Sequence, residues 1–527
     1  GGLMACPMSL QTLLEGWRDE LPPTVAECVI TGLSLDSRRV GGGEAFVAVQ
    51  GARAHGTAFA QQAVQRGAVA VIHDGLGELA DLGVPDVAVP ELGRRLSSLG
   101  ARFFHNPSEQ LTVAGVTGTN GKTSTAHFIA QAWQRSSGDA GLIGTIGWGA
   151  MEALNPANMT TPDPIALQRM LSDCIDQGVE KVAMEVSSHA LDQGRCDDVA
   201  FDAAVFTNLS RDHLDYHGTM EAYAAAKRRL FIDCHPRFAV VNQDDALGKD
   251  LIATIRNGTE VLSYGTNGSS ELRGAVLAMD SGGMTLRLAS PWGEGEVRSG
   301  LLGAFNLSNL LAAAGTLALL GLSWNRVMQE IELMHPVPGR MRCLGGERSQ
   351  PVVVIDYAHT PDALRQALTA LRAHLHGRLV CVFGCGGDRD AGKRPMMAAV
   401  AEELADQVVL TNDNPRNEDP AVIIADLLEG MARPERALVV EDRATAIRQA
   451  IHASREGDIV LWDSDLIKAL RFQAGWSQTQ LAEELGVRQQ TVSEWETGVY
   501  QPSRHMCKFL MLIAEQAGFV YGVDKHT

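Results

Sequence analysis

Val113-Ala-Gly-Val-Thr-Gly-Thr-Asn-Gly-Lys-Thr123 follows the apolar, strand-like run Leu111–Val116 and precedes the helix-forming stretch Ser124–Gln134. A strand, a glycine-rich loop and a helix in that order make a phosphate cradle. Successive backbone N–H groups face the anion, and the helix N-terminus favours negative charge. Gly118, Thr119, Asn120 and Gly121 would curl around the phosphates. Lys122 would neutralise the outer phosphates, and the Thr123 hydroxyl would ligate Mg2+. The strict pattern wants a glycine five residues before Gly121. Val116 stands there and Gly118 lies closer in, so the loop is a variant.

Outward from this loop, strand-like and helical runs alternate. Val182–Val186, Ala203–Phe206 and Ala239–Asn242 read as strands within residues 109–338. Val352–Asp356, Leu379–Phe383, Gln407–Leu410 and Asp458–Leu461 repeat the pattern within residues 339–462. Alternation of this kind predicts an α/β fold with parallel sheets and crossover helices. Ala45–Val49 and Val69–Ile72 give residues 1–108 the same character on a smaller scale, and His335-Pro-Val-Pro-Gly-Arg340 reads as a hinge. From about residue 463 the strand signals stop and short amphipathic helices follow.

Composition sets outer limits. A chain of 527 residues holds three or four domains. Its net charge of −18 argues against a general coat for nucleic acid or a membrane surface, without forbidding a local cationic pocket. Nine cysteines are scattered without a Cys-x-x-Cys pair, so neither a zinc site nor a disulfide framework is expected. The longest apolar stretch, Leu310–Leu322, is too short and too rich in small residues to span a membrane. The first residues lack the basic segment and apolar core of a signal peptide, and a cytoplasmic location is expected.

The variant loop Thr117-Gly-Thr-Asn-Gly-Lys-Thr123 resembles that of the Mur ligases, ATP-dependent amide-forming enzymes of peptidoglycan synthesis. Met184-Glu-Val-Ser-Ser-His-Ala-Leu191 and Asn208-Leu-Ser-Arg-Asp-His-Leu-Asp-Tyr-His217 extend the resemblance, as do Gly339-Arg-Met341 and Asp356-Tyr-Ala-His-Thr-Pro361. Phe383-Gly-Cys-Gly-Gly-Asp-Arg-Asp390 and Asp413-Asn-Pro-Arg416 narrow it to the MurE type, over roughly residues 30–461. The resemblance implies a three-domain ligase. Residues 1–108 would bind the UDP substrate, 109–338 would bind ATP on a central P-loop parallel sheet, and 339–462 would form a Rossmann-like domain for the incoming amino acid. The implied substrates are UDP-N-acetylmuramoyl-L-alanyl-D-glutamate and meso-diaminopimelate, with ATP and Mg2+ as cofactors. Lysine stays open as an alternative amino acid, although Asp413-Asn-Pro-Arg416 argues against it.

Joining a carboxylate to an amine requires an activated acyl group, and the family makes an acyl phosphate from ATP. Positioning and neutralised charge then matter more than an enzyme nucleophile. Glu185 ends a predicted strand and His213 follows another, and strand ends are where ligands sit in an open α/β sheet. By resemblance Thr123, Glu185, His213 and Lys227 hold metal, and Lys122, Lys227 and His213 form the catalytic set. Read alone, Lys227 in Glu221-Ala-Tyr-Ala-Ala-Ala-Lys-Arg-Arg229 is a solvated surface lysine; the matching family lysine carries a carbamate made with CO2, which requires a neutral amine. Asn306 and Arg340 match ATP contacts. Leu35 and Ser37 match the uridine-contacting segment, and Thr160, Thr161, Ser187, Gln193 and Arg195 match positions holding the rest of that substrate. Arg389 and Arg416 would recognise carboxylate in bidentate fashion, with Asp413, Asn414 and Pro415 completing the amino-acid pocket.

The family pattern breaks after Leu461. Trp462-Asp-Ser-Asp465 stands where the family has Ala-Gly-Lys-Gly-His-Glu, whose first Gly and Glu help bind diaminopimelate. Trp476-Ser-Gln-Thr-Gln-Leu-Ala-Glu-Glu-Leu-Gly-Val487 and Arg488-Gln-Gln-Thr-Val-Ser-Glu-Trp-Glu496 instead resemble a helix-turn-helix domain of the phage-repressor type. Ser477 would cap its second helix, Gly486 would make the turn, and Gln489, Gln490, Thr491 and Ser493 would face a major groove. Residues 463–527 hold six basic and eight acidic side chains, which does not help phosphate contact. Two further readings therefore stand beside the ligase: a DNA-binding regulator with a ligase-like sensor body, and a ligase crippled by the replacement.

Overall fold

The structure, a computed structural model, describes residues 7–463 apart from 52–53, 158, 211, 256–257, 338–340, 346–350, 357, 359, 388–390, 414 and 416, together with 479–480. Apart from Thr479 and Gln480, the helix-turn-helix segment thus lies outside the described residues, as do Arg340, Arg389, Asn414 and Arg416. The chain divides into two compact units, Gly1–Ser263 with Gly315–Leu320, and Tyr264–Ala314 with the residues from Gly321 on.

In the first unit, Leu33–Ser34, Ala45–Ala48, Ala70–His73 and Asp86–Ala88 form a small parallel sheet. The phosphate-loop strand Thr112–Thr117 lies in a second sheet, in the order Phe238–Asn242, Ala203–Phe206, Thr112–Thr117, Lys181–Glu185, Ala140–Gly144. These five run parallel, and Gly147–Ala150 closes the edge antiparallel. Helices cover both faces, so Val113, Ala114 and Val116 are fully buried and the strand reads as an unbroken apolar run. Asp163 caps Pro164–Asp176 and Thr219 caps Met220–Ile232, each side-chain oxygen accepting from a first-turn N–H. Arg169 on the first of these helices donates to the Leu33 carbonyl and to Glu44, tying it to the small sheet.

The second unit begins with an antiparallel ribbon of Leu272–Asp280, Gly283–Ser290 and Gly293–Ser299. The apolar periodicity of residues 109–338 predicts only parallel strands. Here one face is exposed and polar residues and glycines alternate with the apolar ones, which dilutes the strand signal. A six-stranded sheet follows, in the order Arg342–Gly345, Val352–Asp356, Ile459–Asp463, Leu379–Phe383, Gln407–Leu410, Leu438–Val439, parallel except for its first strand. Leu364, Leu368, Met397 and Leu427 fill one face; Ala446, Ile447 and Ala450 fill the other.

The strand Ile459–Asp463 runs two residues beyond the expected end at Leu461. Trp462 pairs with Ile355 and Val382, and Asp463 with Asp356. Trp462 is 2% exposed and packs with Val353, Val380 and Ala446, yet its indole Nε1 finds no hydrogen-bond partner among the described residues. Among those residues no helix is long and apolar enough to cross a membrane.

Candidate active site

Gly118 turns the chain out of its strand and into the loop. A Cβ there would overlap the Thr207 hydroxyl, so only glycine permits this approach. The loop is cradled by the end of the neighbouring strand: Thr207 Oγ1 donates to the Asn120 carbonyl at 2.6 Å, and the Asn120 N–H donates to Asn208 Oδ1 at 2.9 Å. Gly121 gives way to the helix Lys122–Ser137. Lys122 folds back over the loop, donating to the Gly118 and Thr119 carbonyls at 2.9 and 2.8 Å. Burial lowers its pKa, against the opposing pull of Glu185 and Asp212.

Glu185 pairs with Val116, so its strand ends beside the phosphate loop. Its carboxylate is 2% exposed and accepts from the Thr123 hydroxyl at 2.7 Å, the Thr145 N–H at 2.7 Å and the Thr145 hydroxyl at 3.3 Å. Hydrogen bonds of this number offset the cost of burying a charge.

Lys227, which its alanine-rich surroundings place on the surface, is instead 1% exposed. Its amine donates to the Gly118 carbonyl at 2.8 Å and lies 4.5 Å from the centre of the Tyr223 ring. Burial, and then the nearby charge of Lys122, pull its pKa down to about 6, with Asp212 opposing. Tyr223 touches the Thr119 hydroxyl at 3.1 Å and its ring lies 6.0 Å from that of His213. His213 sits in a left-handed turn with φ of 52°, its ring 4.9 Å from that of His189. The loop, Glu185, Lys227 and His213 therefore share one neighbourhood.

The residues expected to hold the acyl substrate form one network at the same strand end. Thr161 donates to the Glu185 carbonyl at 2.9 Å and accepts from the Ser187 N–H at 3.0 Å. Arg195 donates to the Thr161 carbonyl and, through two nitrogens, to Gln193 Oε1. Thr160 meets Thr145 at 3.1 Å. Ser187 Oγ caps the short helix Ser188–Asp192. Leu35 and Ser37 stand apart in the small sheet's domain, where Ser37 donates to Gln62 at 2.7 Å. In the second unit, buried Asn306 donates to the Leu302 carbonyl and accepts from Asn309. Asp413 lies 3.9 Å from the guanidinium of buried Arg443.

Thr145, Thr207 and Tyr223 belong to this site and escape a motif reading; Asn208 and Asp212 belong to it too and lie within the motif Asn208–His217, where the resemblance gives them no role. Tyr223 precedes Lys227 by one helical turn, a spacing that could have revealed it.

A parallel sheet with a phosphate loop, a buried carboxylate and two lysines at its strand ends defines a nucleotide-binding protein of the phosphate-loop class. The chain belongs to the Mur ligase family. Family models match as the Mur ligase family catalytic domain at 29–110, the Mur ligase middle domain at 116–317 and the Mur ligase glutamate ligase domain at 339–465. A helix-turn-helix model matches 467–511. The UDP-N-acetylmuramoyl-L-alanyl-D-glutamate–2,6-diaminopimelate ligase of Coxiella burnetii is 46% identical, covering 83% of this chain and 90% of its own. That of Pseudomonas aeruginosa is 47% identical, covering 86% and 92%. A solved structure of a ligase of the same name aligns with a TM-score of 0.69 at 36% identity, over 86% of this chain and 93% of that one. MurF from Acinetobacter baumannii shares the fold at 20% identity, with a TM-score of 0.60 over 87% and 96%.

Proposed function

We infer that the chain is an ATP-dependent ligase joining meso-diaminopimelate to UDP-N-acetylmuramoyl-L-alanyl-D-glutamate in peptidoglycan precursor synthesis. The observation that carries this reading is the convergence of the phosphate loop, Glu185 and a neutral-prone Lys227 at the ends of two neighbouring strands, in a chain whose relatives bear that name.

A carboxylate is a poor electrophile, so the substrate's D-glutamyl carboxylate must first take a phosphoryl group. ATP supplies that group, and Mg2+ supplies charge for the phosphate oxygens. The donor set fits such an ion: Thr123 offers a hydroxyl and Glu185 a buried carboxylate, both hard oxygens. Thr123 and Glu185 would hold one ion. His213 and Lys227, once its neutral amine has added CO2 and released a proton, would hold another.

Lys122 leaves the carbonyls of its own loop to meet phosphate, and the loop N–H groups position the chain of phosphates for in-line transfer. The Thr161–Ser187–Arg195–Gln193 network orients the acyl substrate beside Glu185. Asn306 and Arg340 serve the nucleotide; Leu35 and Ser37 serve the uridine end. Arg389, Asp413, Asn414, Pro415 and Arg416 orient diaminopimelate so that one amine attacks the acyl phosphate and phosphate leaves. Measurement of phosphate release with each substrate omitted in turn tests this: release needs all three, and equal release without diaminopimelate refutes it.

A second reading rests on the helix-turn-helix match over residues 467–511: the tail binds DNA. Selection from a random-sequence DNA pool tests it, and no enrichment over the chain truncated at residue 463 refutes it.

A further inference from the structure

Arg394 is the second residue of helix Lys393–Leu404, and its side chain is 1% exposed. A guanidinium keeps its charge at any ordinary pH, so burying one demands close partners. Its Nη1 donates to Asp426 at 2.8 Å, and its Nη2 donates to Glu418 at 2.9 Å and to the Gly386 carbonyl at 3.4 Å. Gly386 lies three residues before Arg389, and Glu418 two residues after Arg416. Asp426 belongs to helix Pro420–Glu429, which follows the second loop, and stands ten residues beyond Arg416.

The two loops also meet through their backbones. Gly387 has no room for a Cβ, because the Pro415 carbonyl occupies that place. The start of the second loop has its own anchor: Arg443, 3% exposed at its side chain, donates to the Asn412 carbonyl at 3.3 Å beside Asp413.

We propose that Arg394 is a positioning residue for the incoming amino acid. It fixes the spacing of the loops that carry Arg389 and Asp413–Arg416, and so sets how a zwitterion with two carboxylates is gripped, without touching it. The proposal rests on the ligase reading above. A planar fork with fixed donor directions suits this task, because it holds two loops and a helix in one geometry; a lysine ammonium would hold them as a point charge without direction. Asp426 is the fixed anchor on a helix, and Glu418 is the arm on the loop.

Glu418→Gln and Asp426→Asn test the idea as a pair. Each removes one negative charge from the same guanidinium and keeps an oxygen acceptor, but only the first alters the loop contact. Saturation kinetics with each substrate and melting temperatures are measured on the full chain. Glu418→Gln is expected to raise the KM for diaminopimelate about tenfold, leaving KM for ATP and the UDP substrate unchanged. Asp426→Asn is expected to change the melting temperature alone. Arg394→Lys should show the same KM split as Glu418→Gln; if it does not fold, the carboxylate pair still decides. Equal diaminopimelate KM values in the two carboxylate variants overturn the proposal and leave Arg394 a core group. Absence of diaminopimelate-dependent phosphate release in the unaltered chain is a different result, refuting the ligase reading itself.

Discussion

Lys122 and Lys227 direct their amines at one carbonyl oxygen, that of Gly118, from 2.9 and 2.8 Å. Two cations cannot both be comfortable there. Burial lowers the pKa of each, and Lys122 further lowers that of Lys227. The phosphate lysine thus helps keep its neighbour neutral, the form that CO2 needs.

Lys122→Ala removes that like charge along with the phosphate contact. ATP turnover should fall by at least about 100-fold, the scale of losing one well-placed electrostatic group. The pKa of Lys227 should rise at the same time. Carbon-13 NMR of a labelled carbamate followed against pH should show its midpoint moving upward; an unmoved midpoint would contradict the coupling.

Lys227 also links folding to pH. Its folded pKa of about 6 lies below the ordinary 10.5, so between those values the unfolded chain binds the extra proton. The resulting penalty is full below about pH 6, shrinks as pH rises and vanishes near the ordinary lysine value. In CO2-free buffer Lys227→Met should melt above the parent at pH 6, with the gap closing toward pH 10. The same variant should ligate nothing at any pH, whereas the parent loses activity as pH falls through about 6.

Glu185→Gln keeps the shape of the strand end but replaces a carboxylate that accepts from Thr123 and Thr145. Phosphate release should drop by roughly 100- to 1,000-fold, while circular dichroism stays that of the parent. Turnover within a few-fold of the parent would remove Glu185 from the metal assignment.

Trp462 buries an indole N–H that finds no partner among the described residues. Trp462→Phe keeps a ring and removes the stranded donor, an arrangement that costs about 1–3 kcal/mol. The variant should therefore be as stable as the parent or more so in urea unfolding. Trp462→Ala should lose about 3–5 kcal/mol through the cavity it leaves.

Replacing residues 462–527 by a C-terminus of the family type should restore two polar contacts to diaminopimelate. At roughly 1–3 kcal/mol each, they correspond to about one to four powers of ten in affinity. Titration calorimetry with diaminopimelate on the two chains checks this. Binding of ATP and of the UDP substrate should not change, and equal diaminopimelate affinity would place the site elsewhere.

Strands buried on both faces were legible, because burial leaves no polar side chain to interrupt the run; Ala203–Phe206, Val352–Asp356 and Leu379–Phe383 coincide with their apolar stretches. The ribbon from Leu272 was not, since half of its side chains face water. Motifs located the phosphate loop and Glu185 because each lies within a few consecutive residues, whereas the Thr161 network, spread from Thr160 to Arg195, was reached only by matching positions of the family. The burial of Lys227 was missed: three alanines precede it and two arginines follow, and its place on the buried stripe of Tyr223, Leu230 and Phe231 went unread. The Arg394 cluster was hidden more thoroughly, its carboxylates standing 24 and 32 residues away along the chain.

The register of Ile459–Asp463 with Val352–Asp356 has a consequence for how such a chain could arise. The departure from the family begins at Trp462, inside that ladder, so a recombination seam there exchanges its last two rungs and one buried side chain while the first three rungs stay. Such a join suits only a newcomer whose first residues finish the strand, as Trp462 and Asp463 do. A terminus of this kind is a selective port: folding screens the first residues of an incoming module, and amino-acid use judges the rest.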